Sequence, residues 1–237
     1  GAGAAGAARA PARPPLSDIA HIHRSIVSSL EGFVAEARLL QRSTDVSSSQ
    51  VTALVERHRF LRSVCLFHTA SEEQVMYPEV RRLTGCSGGV GASATELCTR
   101  EHEEEVSLLE GLGVLLADVR SYARRGRKEV AAMLSQLCSI SERVTAAIAS
   151  HMQHEEGELF PLLQASLTAQ QQRSLLWRTL QAMPLRLLER VMPWIVATLD
   201  ADATAELLHN LRLGAPHKDA VLVQLLSHWA GAGARRV

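Results

Sequence analysis

Apolar residues recur at alternating spacings of four and three along four long stretches of this chain, the period of helices that bury one face. In the first stretch Ile19, His23, Ile26, Leu30, Phe33, Ala37 and Leu40 form the stripe, which predicts a helix from about Ser17 to Gln41. The polar run Ser43 to Gln50 interrupts it. Val51, Leu54, His58, Leu61, Cys65, His68, Glu72, Val75 and Glu79 then predict a second helix, ending near Pro78 because proline offers no N–H to the helical ladder. After the glycine-rich segment Gly85 to Gly91, the third stripe is Cys98, His102, Glu105, Leu109, Leu112, Leu116 and Val119, and it stops at the turn Arg124 to Lys128 around Gly126. The fourth runs Val130, Leu134, Leu137, Ser141, Val144, Ile148, His151, Glu155 and Leu162. Long helices joined by short connections pack most simply as an antiparallel four-helix bundle, so an all-α fold is expected over residues 17–166.

Two flanking regions differ in texture. Residues 1–16 are a Gly/Ala/Pro tract with scattered Arg and little to bury, and they read as a disordered linker. Residues 167–237 hold shorter apolar segments, around 175–183, 184–199 with a break near Pro193, 202–213 and 218–229, and they read as a C-terminal helical appendage. Trp177, Trp194 and Trp229 all fall there, which predicts either a small core of its own or docking onto the bundle.

Composition narrows the function classes. The chain has 237 residues, with 25 Lys plus Arg against 25 Asp plus Glu, so its formal charge is zero. That balance gives no electrostatic reason to bind nucleic acid or an anionic membrane. No run approaches the ~18 apolar residues of a membrane span and there is no signal-peptide core, so an intracellular location, nucleus or cytoplasm, is expected. Cys65, Cys86, Cys98 and Cys138 stand far apart without a C-x-x-C pair, which excludes the common zinc-finger and RING spacings and fits a reducing compartment. The first residue is Gly1 and no Met precedes Met76, which reads as a piece of something longer.

The chemistry lies in an internal repeat. His68, Glu72, Glu73, Tyr77 and Pro78 recur as His151, Glu155, Glu156, Phe160 and Pro161, each displaced by 83 residues. Residues four apart on a helix sit about 6 Å from each other on one face, so each His/Glu pair can reach one metal centre. Polar groups on a buried stripe cost about 1–3 kcal/mol each if unsatisfied, and charged ones cost more. The buried stripes nevertheless carry His23, His68, Glu72, His102, His151 and Glu155, which are the candidate metal ligands, with Glu105 as a further candidate three residues from His102. Four independent structural histidines are the weaker explanation, because each helix would have to bury one by coincidence. His58 lies about 15 Å along the axis from His68 and reads as a hydrogen-bonded core histidine. His21 reads as solvated, two residues off the stripe, and His154 is out of register with the repeat. Glu73, Glu103, Glu104 and Glu156 read as an acidic rim. No catalytic residue is assigned.

The segments HIHRSI, FHTASEEQVMYP, REHEEEV and HMQHEEGELFP resemble the haemerythrin-like, or HHE, bundles, with His on the first helix, H-x-x-x-E on the second, E-H on the third and H-x-x-x-E on the fourth. That resemblance covers about Ser17 to Ser166. It implies a di-iron centre, oxo- or hydroxo-bridged, in which zinc can substitute. One iron would take His23 and His68, the other His102 and His151, with Glu72 and Glu155 bridging. Haemerythrin-like oxygen carriers have a second histidine four residues after the one on the third helix, and here that position is Val106. Sensing, iron buffering or slow oxidation is therefore implied over reversible oxygen carriage, with a dioxygen-binding, ferroxidase-like or iron-storage protein as the alternative. MPLRLLERVMPWIVATL and LRLGAP further resemble the stretch after such a bundle in the BRUTUS or HRZ class of iron-regulatory RING-type E3 ubiquitin ligases. The implied role is an iron- and oxygen-sensing module for iron homeostasis, whose partners are iron, dioxygen, the remainder of a ligase chain and its protein substrates. The zinc-finger and RING segments of that class are absent from this sequence, so ubiquitin transfer by this chain alone is not expected.

Overall fold

The computed structural model describes residues 13–85, 90–122 and 127–234. Among them, helices account for nearly all of the backbone and no strand occurs. A short 3-10 turn, Pro15–Asp18, leads into α1, Ile19–Arg42. Ser47 and Gln50 then cap α2, Ser48–Ser71, each accepting a bond from the other's backbone N–H. A π-helical turn, Glu72–Met76, joins α2 to α3, Tyr77–Thr84. The partner helices are α4, Val90–Tyr122, and α5, Arg127–His154, the latter continued by a second π-helical turn, Glu155–Leu159, into α6, Phe160–Ser166. α1 packs against α2 and α5, and α4 closes the ring against the same two, giving the antiparallel four-helix bundle. The expected turns at 86–89 and 123–126 lie outside the described residues.

The two π turns correct the sequence reading. A proline inside a helix removes an N–H and clashes with the carbonyl four residues back, so the second helix is expected to end near Pro78. It continues instead to Thr84, because the N–H of Tyr77 reaches back five residues to the carbonyl of Glu72, and that of Phe160 does the same to Glu155. Each wider turn leaves its proline, Pro78 or Pro161, in the first turn of the following helix, where the missing N–H is tolerated. The inserted residue also advances the buried face by one. Val80 and Leu163 are fully buried, while the expected Glu79 and Leu162 are only partly so.

Four helices follow: α7, Ala169–Gln181, α8, Leu185–Val196, α9, Ala201–Gly214, and α10, Ala220–Ala234, the last preceded by a 3-10 turn at His217–Asp219. They dock onto the bundle and share its continuous apolar core. α7 packs on the Pro15–Asp18 turn and on the Glu72–Met76 turn, and α8 lies against α1. Trp177 is buried with its indole N–H donating to Asp219 Oδ2 at 3.1 Å, and Trp194 donates to Ser29 Oγ of α1 at 3.0 Å. α8 is not broken at Pro193; the carbonyl that loses its partner belongs to Glu189, on the exposed face. Pro15 and Leu16, assigned to the linker on composition, belong to the fold: Leu16 is fully buried and its N–H meets Gln172 Oε1 at 3.5 Å. Of the rest of that linker, Arg13 and Pro14 are exposed and residues 1–12 lie outside the described residues.

Candidate metal centre

Antiparallel packing decides which histidines meet. His23 lies near the start of α1, His68 near the end of α2 and His151 near the end of α5, so all three fall at one end of the bundle. His102 of α4 reaches the same level, and all four rings are buried. Glu72 and Glu155, each opening a π turn, are fully buried between them. The donor atoms form two overlapping groups, His23, His68, Glu72 and Glu155 in one, and Glu72, His102, His151 and Glu155 in the other.

Distances within the cluster are short. His68 Nε2 lies 3.0 Å from Glu72 Oε1, and His23 Nε2 lies 3.7 Å from that oxygen and 3.6 Å from Glu155 Oε2. His102 Nε2 is 3.6 Å from Glu72 Oε2, and His151 Nε2 is 3.6 Å from Glu155 Oε2. Most of these approaches are not aligned as hydrogen bonds. His23 Nε2, both nitrogens of His68, both oxygens of Glu72 and Glu155 Oε2 are buried with no hydrogen-bond partner. Buried polar atoms are seldom left unmatched, and here they converge from three helices on one small volume. Imidazole nitrogens and carboxylate oxygens in that arrangement suit iron, manganese or zinc, so the residues fit a bound pair of cations.

The outward nitrogens are held by a ring of partly exposed carboxylates. His23 Nδ1 donates to Glu156 Oε1 at 2.7 Å, His102 Nδ1 to Glu73 Oε1 at 2.9 Å, and His151 Nδ1 to Glu101 Oε2 at 3.2 Å. Such bonds fix the ring orientation and raise the basicity of the inward nitrogen. The field inside is strong. Burial alone would lower the pKa of His23, but Glu156, Glu72 and Glu155 outweigh it and raise it to about 9; Glu72, Glu73 and Glu155 do the same for His102. His151 goes the other way, pushed down to about 4 by burial and by His102, and burial lowers His68. Burial and the neighbouring Glu72 raise Glu155 well above the carboxylate range, while Glu72 is held low because His68, His102 and His23 outweigh its own burial.

The remaining candidates separate. Glu105 is buried on the inner face, its Oε1 unpaired and its carboxyl pushed up to about 8 by burial, but it belongs to neither donor group. Val106 is only partly buried, since the inward position three residues after His102 falls to Glu105. His58 hydrogen-bonds the carbonyl of Leu109 at 2.9 Å, as expected of a core histidine. His154 pairs with Glu101 Oε1 at 2.7 Å on the rim. His21 is a correction: it is buried, not solvated, because α8 and the Pro15–Asp18 turn cover that side of α1, and it contacts Arg24 and Asp18.

Two residues of the site carried a signal that sequence reasoning left unused. Tyr77 is fully buried, stacks on His102 with centroids 5.6 Å apart, and donates its hydroxyl to Glu155 Oε1 at 2.7 Å. It stands in the repeat opposite Phe160, and the extra hydroxyl is visible in that comparison. Glu101 is the acid of the E-H pair on the third helix, yet its role depends on facing His151 of another helix.

Fold and site together define a helical bundle whose buried histidine and carboxylate clusters are able to hold metal cations. The profile of the family described as Hemerythrin HHE cation binding domain matches residues 14–163, and the chain belongs to that family. It is 33% identical over 219 residues to the zinc finger protein BRUTUS of Arabidopsis thaliana, covering 92% of this chain and 16% of that protein. Two BRUTUS-like zinc finger proteins of the same plant are each 24% identical, over 91% and 81% of this chain and 16% and 14% of theirs. The chain thus spans about one sixth of the length of these relatives. No solved structure matches it. Among the described residues, no helix is long and apolar enough to cross a membrane.

Proposed function

We propose that this chain is a di-iron-binding regulatory domain of a longer BRUTUS-like E3 ubiquitin ligase, and that its iron occupancy controls the ligase in iron homeostasis. The observation that carries the metal reading is the set of unpartnered buried donor atoms on His23, His68, Glu72 and Glu155. His23 and His68 would hold one cation and His102 and His151 the other, with Glu72 and Glu155 in both donor groups. When bound, the metal pair supplies Lewis acidity and one-electron redox chemistry, through which oxygen can also act as a signal. The protein's own part is to aim and to enclose. Glu156, Glu73 and Glu101 hold three imidazoles with Nε2 inward, and α7, packed on the Glu72–Met76 turn, covers that end of the bundle. Iron over zinc, and the ligase context in nucleus or cytoplasm, follow from likeness to the HHE and BRUTUS classes. In the same reading the bundle and the segment 167–237 are the two units of the domain.

Anaerobic loading with ferrous iron, desalting and elemental analysis tests the metal reading. About two irons per chain are expected, with a near-ultraviolet band after exposure to air. A ratio near zero overturns it. The regulatory half is tested by the half-life of the full-length parent in iron-replete and iron-starved cells. A difference abolished by Glu72→Ala is expected, and an iron-independent half-life overturns it.

A further inference from the structure

Resting on that two-cation reading, we infer that the two positions fill in a fixed order, the His23/His68 position first, and that the Tyr77 hydroxyl sets this order as a latch on the His102/His151 position.

The two positions have similar ligands but different internal bonding. At the first, His23 Nε2, His68 Nε2, Glu72 Oε1 and Glu155 Oε2 all lack hydrogen-bond partners, so a cation there displaces only the unaligned imidazole–carboxylate approaches at 3.0–3.7 Å. At the second, His102 Nε2 and His151 Nε2 share a hydrogen bond at 3.0 Å. The Tyr77 hydroxyl lies 3.3 Å from His102 Nε2 and donates to Glu155 Oε1 at 2.7 Å. These donors are satisfied by one another, and their bonds must break before the nitrogens turn to a cation. The internal repeat offers a control for the Tyr77 part of this bonding. Phe160 matches Tyr77 in the repeat and packs on His23 with ring centroids 5.6 Å apart, the same separation as Tyr77 on His102. The rings differ in tilt, 9° for Tyr77 on His102 and 30° for Phe160 on His23, and in composition by one hydroxyl. Tyr77 is fully buried, so no solvent competes for that hydroxyl.

Tyr77 is accordingly a positioning residue, and stepwise titration with cobalt(II) under argon, followed by optical absorption against a competing chelator, tests it. The wild-type chain should bind two cobalt ions in steps about tenfold or more apart, the scale of one buried hydrogen bond that has to be given up. His68→Ala should abolish the tighter step and His151→Ala the weaker one. Tyr77→Phe keeps the ring but removes the bond to Glu155 that has to break, and should tighten the second step alone, bringing the two within about threefold. Phe160→Tyr should transplant the latch and weaken the first step. Two equal steps in the wild type overturn the inference while sparing the two-cation reading, whereas fewer than two ions in total overturn that reading. An unchanged or wider gap in Tyr77→Phe also overturns it, as does equal weakening of both steps together with a lower melting temperature of the metal-free chain, which marks a purely structural role.

Discussion

Stripping the cations from the loaded domain should destabilise it strongly, by an amount that follows from the donor atoms. Five atoms that face the centre, His23 Nε2, His68 Nε2, Glu72 Oε1 and Oε2, and Glu155 Oε2, have no hydrogen-bond partner within the protein. Each buried polar atom left unsatisfied costs about 1–3 kcal/mol, and the low end is appropriate because the Glu72 oxygens still attract neighbouring imidazoles at 3.0–3.7 Å. Five such atoms amount to about 5 kcal/mol, a large part of the ~5–15 kcal/mol that holds a domain folded. For a chain of this size each kcal/mol moves Tm by about 2–4 °C, so a fall of roughly 10–20 °C is expected. Binding of one cation at a thousandfold excess over its Kd supplies about 4 kcal/mol, which is of the same order. The assay is thermal circular dichroism of iron-loaded and chelator-treated protein under argon, with Glu72→Gln as a second sample. In the metal-free form Glu72→Gln should itself melt lower than the parent, since the ionised carboxylate is stabilised by His68, His102 and His23, and iron should no longer raise its Tm. A Tm that moves by less than about 2 °C on iron removal, below what 1 kcal/mol produces, would refute the reasoning.

Glu72→Ala should lower occupancy of both cations together, because its two oxygens face both donor groups, whereas His154→Ala should leave the metal count intact; elemental analysis after loading checks both. His58→Ala should cost about 2–4 kcal/mol in urea unfolding, from a lost bond to the Leu109 carbonyl and a cavity beside Gly113, with iron stoichiometry unchanged. Gly214→Ala should cost more than about 2 kcal/mol, since its Cβ would strike the backbone carbonyl of Arg173 and push α9 off α7; the same unfolding assay checks it. Asp18 is pushed up to about 6 by burial, although Asn210 donates to it. A carboxyl raised above its value of 3.8 in the open chain is most stabilising when protonated, so its contribution is full below about pH 3.8 and lost as pH rises through about 6. Asp18→Asn should therefore melt a few degrees above the parent at pH 7.5 and converge with it near pH 4; a constant difference would contradict the assignment.

Much of the centre is legible one helix at a time. The four stripes predict the bundle, and the repeat singles out the His/Glu pairs that stand four residues apart on α2 and α5, because a helix turns by a fixed angle and local spacing alone decides which side chains share a face. His23 and His102 were legible for the same reason, as polar interruptions of apolar stripes. The π turns were not, since Pro78 suggests a helix end and the fourth stripe runs past Pro161 at ordinary helical spacing. Only the five-residue hydrogen bonds from Tyr77 and Phe160 carry the helices past them and move Val80 and Leu163 inward in place of Glu79 and Leu162.

What the sequence by itself determined was that His23, His68, Glu72, His102, His151 and Glu155 lie on the packing faces of four helices. Which atoms meet was decided by the tertiary structure. Glu101 serves His151 from another helix, Glu156 of the second π turn serves His23 of α1, and Tyr77 crosses the core to Glu155. His21 shows the same limit from the other side: off the stripe it reads as solvated, yet it is buried where α8, more than 160 residues later in the chain, packs on α1. Periodicity reports whether a side chain is covered by its own helix's packing face. A hydrogen bond at 2.7 Å or a docked helix depends on distances between segments far apart in the chain, which the angle between successive side chains does not encode.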